Sequence, residues 1–349
     1  MKIIVEMLHG LGDVVCCLPM LQAIIVQYPN AEIVVLVKFK STREIVASSR
    51  LPIKKIINID VYDDRLSETF AKIRYLRSLN ADLGVSAACT PVRKAKVFMS
   101  LLNCKRVIGL QHEAGVNFDG LNDSMHFVDA NLLAIKPILN EELYLCGNRD
   151  PKLFAGEKEI VKMRYALQKL DGRKIIGVCI GNADISYKNR WFRTGAVFTR
   201  GWGITNMREL VEVLIKAEYG VVLIGGAMET QLLDSIGNKI LNAENVMNLV
   251  AQTSLKESIA LASLCDLMIG VDTGMQHIAD AVGTKTISIF GPTNPKTHGA
   301  YSNKANFVET ECACKYCYGT HNYVGCEDRI CLKNISVEMV YKKIQEVMR

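Results

Sequence analysis

The chain has no apolar run long enough to cross a bilayer as a helix. Its hydrophobic stretches are the length of single strands, so a helical membrane-spanning protein is not the expected class. It shows no signal-peptide pattern either: Met1-Lys2-Ile3-Ile4-Val5 reads directly as a strand, and the expected location is the cytoplasm. Charge of one sign is not in large excess. The 42 basic and 36 acidic residues leave a net +6, too modest to argue for nucleic acid as a partner. The glycine fingerprint of dinucleotide binding, G-x-G-x-x-G, is also missing. Residues 10–15 read G-L-G-D-V-V, with Val15 in the place of the third glycine, which disfavours a dinucleotide cofactor.

What is present is globular composition, 49% hydrophobic and 22% charged over 349 residues, enough for two domains with their own cores. Strand-like runs at 3–7, 32–37, 56–59, 83–87 and 106–110 alternate with helical patterns at 14–27, 41–48, 68–79 and 92–102. A second series follows a helical stretch near 157–169. Its strands are expected at 174–180, 221–224, 266–270 and 286–290, and its helices at 207–217, 229–241 and 256–264. Alternation of this kind implies parallel sheets covered by helices on both faces. The expected fold class is therefore α/β, with two Rossmann-like doubly wound domains at 1–155 and 156–335 facing across a cleft. Open sheets of this type bind ligands outside the carboxyl ends of their strands.

The most informative segment is 270–295, GVDTGMQHIADAVGTKTISIFGPTNP. A Thr-Gly step between a strand and a helix leaves free backbone N–H groups at the positive end of a helix dipole, an anion site suited to a diphosphate. Asp272 is expected at the strand tip, Thr273 and Gly274 at the junction, and His277 one turn into the helix. Taken singly, Asp272 or Thr273 reads equally well as a helix N-cap, and His277 as a structural histidine. At the first strand-to-helix junction, His9-Gly10-Leu11-Gly12-Asp13-Val14-Val15 gives a tight turn ending in a carboxylate that is either an N-cap or a general base. Leu223-Ile224-Gly225-Gly226-Ala227-Met228-Glu229 forms a third such junction, where Glu229 is either a helix-dipole partner or a ligand group.

Together, D-T-G-x-x-H-x-A-x-A-x-G followed by I-F-G-P-T-x-P closely resembles the donor-binding signature of glycosyltransferase family nine, the ADP-heptose heptosyltransferases. G-D-V-V followed by Pro19 and by Tyr28-Pro29-Asn30-Ala31-Glu32-Ile33 resembles the same family's opening, and the resemblance spans nearly the whole chain. It implies a GT-B fold in which a C-terminal helix, 336–349, crosses back to the first domain. It implies an inverting glycosyltransferase that moves a heptose or related sugar from an ADP-sugar to a saccharide acceptor of lipopolysaccharide type. Asp13 would be the base, Glu229 would receive the ribose hydroxyls, and Asp272, Thr273, Gly274 and His277 would hold the phosphates or the sugar. The family's K-R-W-P is matched by Arg200-Gly201-Trp202-Gly203, in which arginine replaces lysine and glycine replaces proline. A guanidinium can bind a diphosphate bidentately; Lys188 and Arg190 compete for this role. No D-x-D triplet occurs, so no catalytic metal is expected.

Five of the twelve cysteines crowd into 312–331. Cys314, Cys317, Cys326 and Cys331 are the expected ligands of a structural zinc or iron, against the alternative of reduced thiols packed under a loop. Basic residues cluster at 92–106 (Arg93, Lys94, Lys96, Lys105, Arg106) and at 38–55, and are read as solvated faces or as attraction to an anionic acceptor and the membrane surface that carries it. Two other function classes remain open: a nucleotide-sugar epimerase of similar architecture, and a non-catalytic nucleotide-sugar or glycan-binding protein.

Overall fold

The computed structural model describes residues 1–60, 64–88, 92–109, 125–181, 184–189, 192–197, 200–303, 306–318, 326 and 328–349, without the side chains of 92–96, 184–189 and 192–197. The chain divides into two units, Met1–Leu153 and Phe154–Arg349. In the first, β1 (Lys2–Met7), β2 (Glu32–Val37), β3 (Lys55–Asn58), β4 (Leu83–Ser86) and β5 (Arg106–Ile108) form one sheet in the order β3-β2-β1-β4-β5. Every neighbouring pair is parallel. The apolar runs IIVEM and IVVLV are buried along almost their whole length, as strands covered on both faces must be. The helix Leu11–Gln27 buries ten of its residues, from Val14 to Ile24, so it is apolar nearly all round.

The second unit carries β6 (Ile175–Cys179), β9 (Gly220–Ile224), β10 (Val246–Asn248), β11 (Leu267–Val271), β12 (Lys285–Ile289) and β13 (Phe307–Val308) in the order β10-β9-β6-β11-β12-β13, again all parallel. A separate antiparallel hairpin joins β7 (Asp184–Asn189) to β8 (Phe192–Val197). Side chains alternate between the faces of the main sheet. Val221 and Leu223 join Leu210, Leu214, Val340 and Ile344 on one side. Val222 and Ile224 join Met163, Leu261 and Ala279 on the other. The final helix, Val337–Met348, thus lies with the second unit, its buried face of Val340, Ile344 and Met348 part of that unit's core.

Two departures from the sequence pattern have local causes. The region expected as one helix over 229–241 forms a 3-10 turn, Ala227–Leu232, followed by two short helices parted at Gly237, whose φ of +88° turns the chain out of helical geometry. Strands β10 and β13, only three and two residues long, carry no period that a sequence reading could find.

Each strand order reverses direction once, and the reversal places a crevice. In the first sheet the crossovers diverge from β1 and β4, in the second from β6 and β11. The carboxyl ends of such a divergent pair are where open parallel sheets bind ligands. Gly270 lets β11 approach β6 closely just below that point: a Cβ there would lie 2.7 Å from Cβ of Cys179.

Candidate functional site

In the second unit, β11 ends at Val271 and the helix Gly274–Ala281 begins two residues later, with Thr273 in extended geometry (φ −142°, ψ 161°) as its N-cap. Thr273 makes no side-chain cap bond. Its buried Oγ1 has no hydrogen-bond partner, and the same is true of Oγ1 of Thr293 on the loop after β12. Buried hydroxyls are normally satisfied. Thr273 sits at the N-terminus of a helix, whose first N–H groups suit a phosphate, and Thr293 on the loop that follows the neighbouring strand; Thr286 Oγ1, within β12, is likewise unpartnered. Thr293 of the I-F-G-P-T motif is only 1% exposed, a burial that the turn-like composition of Gly291–Pro295 does not announce.

Asp272 and His277 are both buried, at 6% and 9% exposure. Asp272 Oδ2 accepts from Nη1 of Arg200 at 2.9 Å, an ion pair whose side chains are 7% and 19% exposed. Arg200 therefore meets the 272–277 junction directly, across 72 residues of sequence. Its guanidinium carbon stands 5.5 Å from the ring centroid of Tyr318, which is in turn edge-on to His298. The following Trp202 is fixed by its indole N–H, which donates to the carbonyl of Ile335 at 2.9 Å. The side chains of Lys188 and Arg190, the competing basic residues, lie outside the described residues.

Glu229 is buried (8%) in the 3-10 turn that follows β9, and one of its oxygens accepts from the backbone N–H of Gly226 at 2.8 Å. That is the helix-start role, and it orients the carboxylate. Glu229 also acts on Cys179 at the end of β6: burial first, and then the nearby glutamate, push that thiol up to about 12. Glu229 thus sits near the β6 side of the reversal, while Asp272 and Thr273 mark the β11 side.

In the first unit the helix starts at Leu11, three residues earlier than the sequence period suggests, with Gly10 as N-cap. Asp13 is then not the N-cap but the third residue of the first turn, where its Oδ2 accepts from Gly10 N–H at 3.3 Å. It is half-buried at the β1/β4 reversal. A further carboxylate near this reversal, not evident as a site residue from the sequence, is Glu6 of β1, 1% exposed and paired in register with Ser86 of β4.

The cysteine segment departs from expectation. Among the described residues no three His, Cys, Asp or Glu side chains are grouped so as to hold a metal, so Cys314, Cys317, Cys326 and Cys331 do not form a chelate in this arrangement. The reason is divergent burial: Cys314 is exposed, whereas Cys331 is buried with its Sγ packed under the turn at Gly291. The thiols are nevertheless gathered. Cys312 and Cys314 have their Sγ atoms 3.7 Å apart, and burial together with Cys312, Cys314, Cys317 and Cys326 pushes Cys331 up to about 11.

Two successive doubly wound parallel-sheet units, the second with a helix opening at its strand reversal, define the GT-B architecture. Residues 192–326 match the family described as Glycosyltransferase family 9 (heptosyltransferase). Over that stretch, which lies in the second unit, the chain is similar to glycosyltransferase family 9. It is 31% identical over 145 residues to lipooligosaccharide heptosyltransferase 2 of Haemophilus influenzae, a stretch covering 40% of this chain and only 37% of that protein. It is 23% identical over 361 residues to lipooligosaccharide heptosyltransferase 2 of Campylobacter jejuni, covering 100% of this chain and 99% of that one. Among solved structures, the ADP-heptose lps heptosyltransferase II of E. coli matches its fold with TM-score 0.70 and 20% identity, over 100% of this chain and 98% of that one. No described helix is long and apolar enough to cross a membrane.

Proposed function

We propose that the protein is an inverting glycosyltransferase that transfers a heptose from an ADP-sugar donor to a saccharide acceptor of lipopolysaccharide type. The observation that carries this reading is the junction Asp272-Thr273-Gly274…His277 at the β6/β11 reversal, with Arg200 ion-paired into it and unpartnered buried hydroxyls on Thr273 and Thr293. Helix N–H groups, hydroxyls and a guanidinium are donors for a diphosphate, and Glu229 is the acceptor for ribose hydroxyls. In the reaction Asp13 takes the proton of the acceptor hydroxyl as its oxygen bonds to the anomeric carbon. The bond from that carbon to the diphosphate breaks with its electron pair, and ADP leaves. Arg200 and the Thr273–Gly274 helix start then stabilise charge that grows on the diphosphate in the transition state. No step runs through a metal.

Thermal unfolding with a panel of nucleotides tests the donor assignment. ADP and ADP-heptose should raise Tm by several degrees, and UDP, GDP and NAD by less, because a ligand that binds only the native state stabilises it by mass action. Equal shifts throughout, or a shift confined to uridine compounds, contradicts the reading.

The enzyme is assigned to the cytoplasm, in peripheral contact with the membrane face that presents the acceptor; the basic run at 38–55 supports that contact. The gathered thiols of 312–331 support a structural zinc or iron ion, which would relieve their mutual repulsion on drawing them together. Elemental analysis of protein purified without added metal should then find about one equivalent, lost on Cys331→Ser. No metal, with freely titratable thiols, leaves the segment as packed cysteines.

A further inference from the structure

A carboxylate buried to 1% exposure near the end of a parallel strand is costly unless it is paired and hydrogen-bonded. Glu6 is satisfied on two sides and faces a third group. Oε1 accepts from the backbone N–H of Leu8 at 2.9 Å. Oε2 accepts from the hydroxyl of Ser86 at 2.8 Å. Ser86 is its register partner on β4, so this bond ties together the two strands that flank the reversal. Nε2 of His9 stands 3.9 Å from Oε1, beyond hydrogen-bond length and within ion-pair range, with the His9 side chain 13% exposed.

From Glu6 the chain turns tightly, His9 N–H donating to the carbonyl of Met7 at 2.9 Å. Gly10 N–H then meets Asp13, and Val14 N–H closes the first helical bond on the carbonyl of Gly10. Each contact fixes the next, from the sheet to Asp13. A neutral amide at position 6 could keep both hydrogen bonds, accepting from Leu8 and donating to the Ser86 oxygen. Neither bond needs the negative charge, whereas the imidazole of His9, in ion-pair range of Oε1, gains from it when protonated. We infer that Glu6 is a positioning residue, whose buried charge holds His9 and through the following turn sets where Asp13 stands at the β1/β4 reversal.

The inference rests on the reading of Asp13 as the base in transfer. Its test is steady-state kinetics on the full chain with ADP-heptose and an acceptor, using Glu6→Gln, His9→Ala and the double variant, with ADP binding measured calorimetrically. Glu6→Gln should keep Tm within about 2 °C and ADP affinity within about twofold, because the nucleotide site lies in the other unit. Its kcat should fall about 10–100-fold, the scale on which a misplacement of about 1 Å acts. His9→Ala should show a similar loss, and the double variant no more than the larger single loss, the mark of two groups acting as one.

A folded Glu6→Gln protein with kcat within twofold of the parent overturns the inference, as do single losses that multiply in the double variant. Should Glu6→Gln fail to fold, unchanged kcat in His9→Ala overturns it equally. A parent protein that turns over while Asp13→Asn does not, and Glu6→Gln at full rate beside it, removes this inference and leaves the transfer reading standing. A parent inert toward every nucleotide sugar removes both.

Discussion

Replacing Arg200 with alanine tests the second unit's site through its stability. Asp272 is 7% exposed and gives Oδ2 to the Arg200 guanidinium at 2.9 Å, so the substitution leaves a buried carboxylate without its arginine counter-charge. Removing one partner of a buried pair costs about 3–5 kcal/mol. Arg200 retains 19% exposure, so water partly solvates the pair and about 2–4 kcal/mol is the appropriate range. For a unit the size of Phe154–Arg349, each kcal/mol moves Tm by about 2–4 °C, which puts the expected fall at roughly 4–16 °C. Calorimetry with and without ADP reads both halves of the claim: the apo transition should fall by that amount, and the ADP-induced rise should largely vanish. Arg200→Met combined with Asp272→Leu removes both charges and should recover part of the lost stability without recovering ADP binding. An apo Tm within about 1 °C of the parent would refute the buried-pair reasoning, and a normal ADP response would remove Arg200 from the donor site.

Other consequences can be checked in the same scans. Glu257 caps the helix Leu255–Leu264 with Ser254 and pairs with Lys162; hydrogen bonding from Lys162 first, then from Ser254, holds it at about 2. Its folded value is below the ordinary 4.5, so its stabilisation is present above 4.5 and lost as pH falls toward 2. Glu257→Gln should therefore destabilise at pH 7 and make little difference near pH 2; an equal loss at both would contradict this. Gly237→Ala places a side chain at φ +88° with no atom near its Cβ, so backbone strain alone should cost about 1–2 kcal/mol and leave ADP affinity unchanged. A neutral result would show that the 233–241 turn relaxes. Trp202→Phe removes the indole donor from the buried carbonyl of Ile335 and should cost about 1–3 kcal/mol by denaturant unfolding; a cost below about 0.5 kcal/mol would mean that the carbonyl finds another donor.

The parallel strands were legible because burial on both faces forces unbroken apolar runs such as IVVLV and GVVLI, which only turn residues interrupt. The junction at 272–277 was legible because its residues are contiguous, and a strand tip followed by a helix start is a local event. Contacts that depend on folding were not. Arg200 and Asp272 meet across 72 positions, and Tyr318 reaches Arg200 from the cysteine segment. Glu6 looked like an ordinary polar position in KIIVEM; only its register with Ser86 shows that it is buried at a strand reversal. Spacing suggested a four-thiol site at 314–331; what it could not show is that Cys331 is buried against Gly291 while Cys314 stays exposed.

The central claim is sugar transfer from an ADP-sugar with Asp13 as the base, and nucleotide release tests it most directly. Purified protein is incubated with ADP-heptose, with and without a lipopolysaccharide-core acceptor, and free ADP is followed over time beside the Asp13→Asn variant. Acceptor-dependent ADP release, lowered about 10²–10⁴-fold in a folded Asp13→Asn protein that still binds ADP, is the predicted result. Release that ignores the acceptor, or that survives Asp13→Asn at near-parental rate, would contradict it.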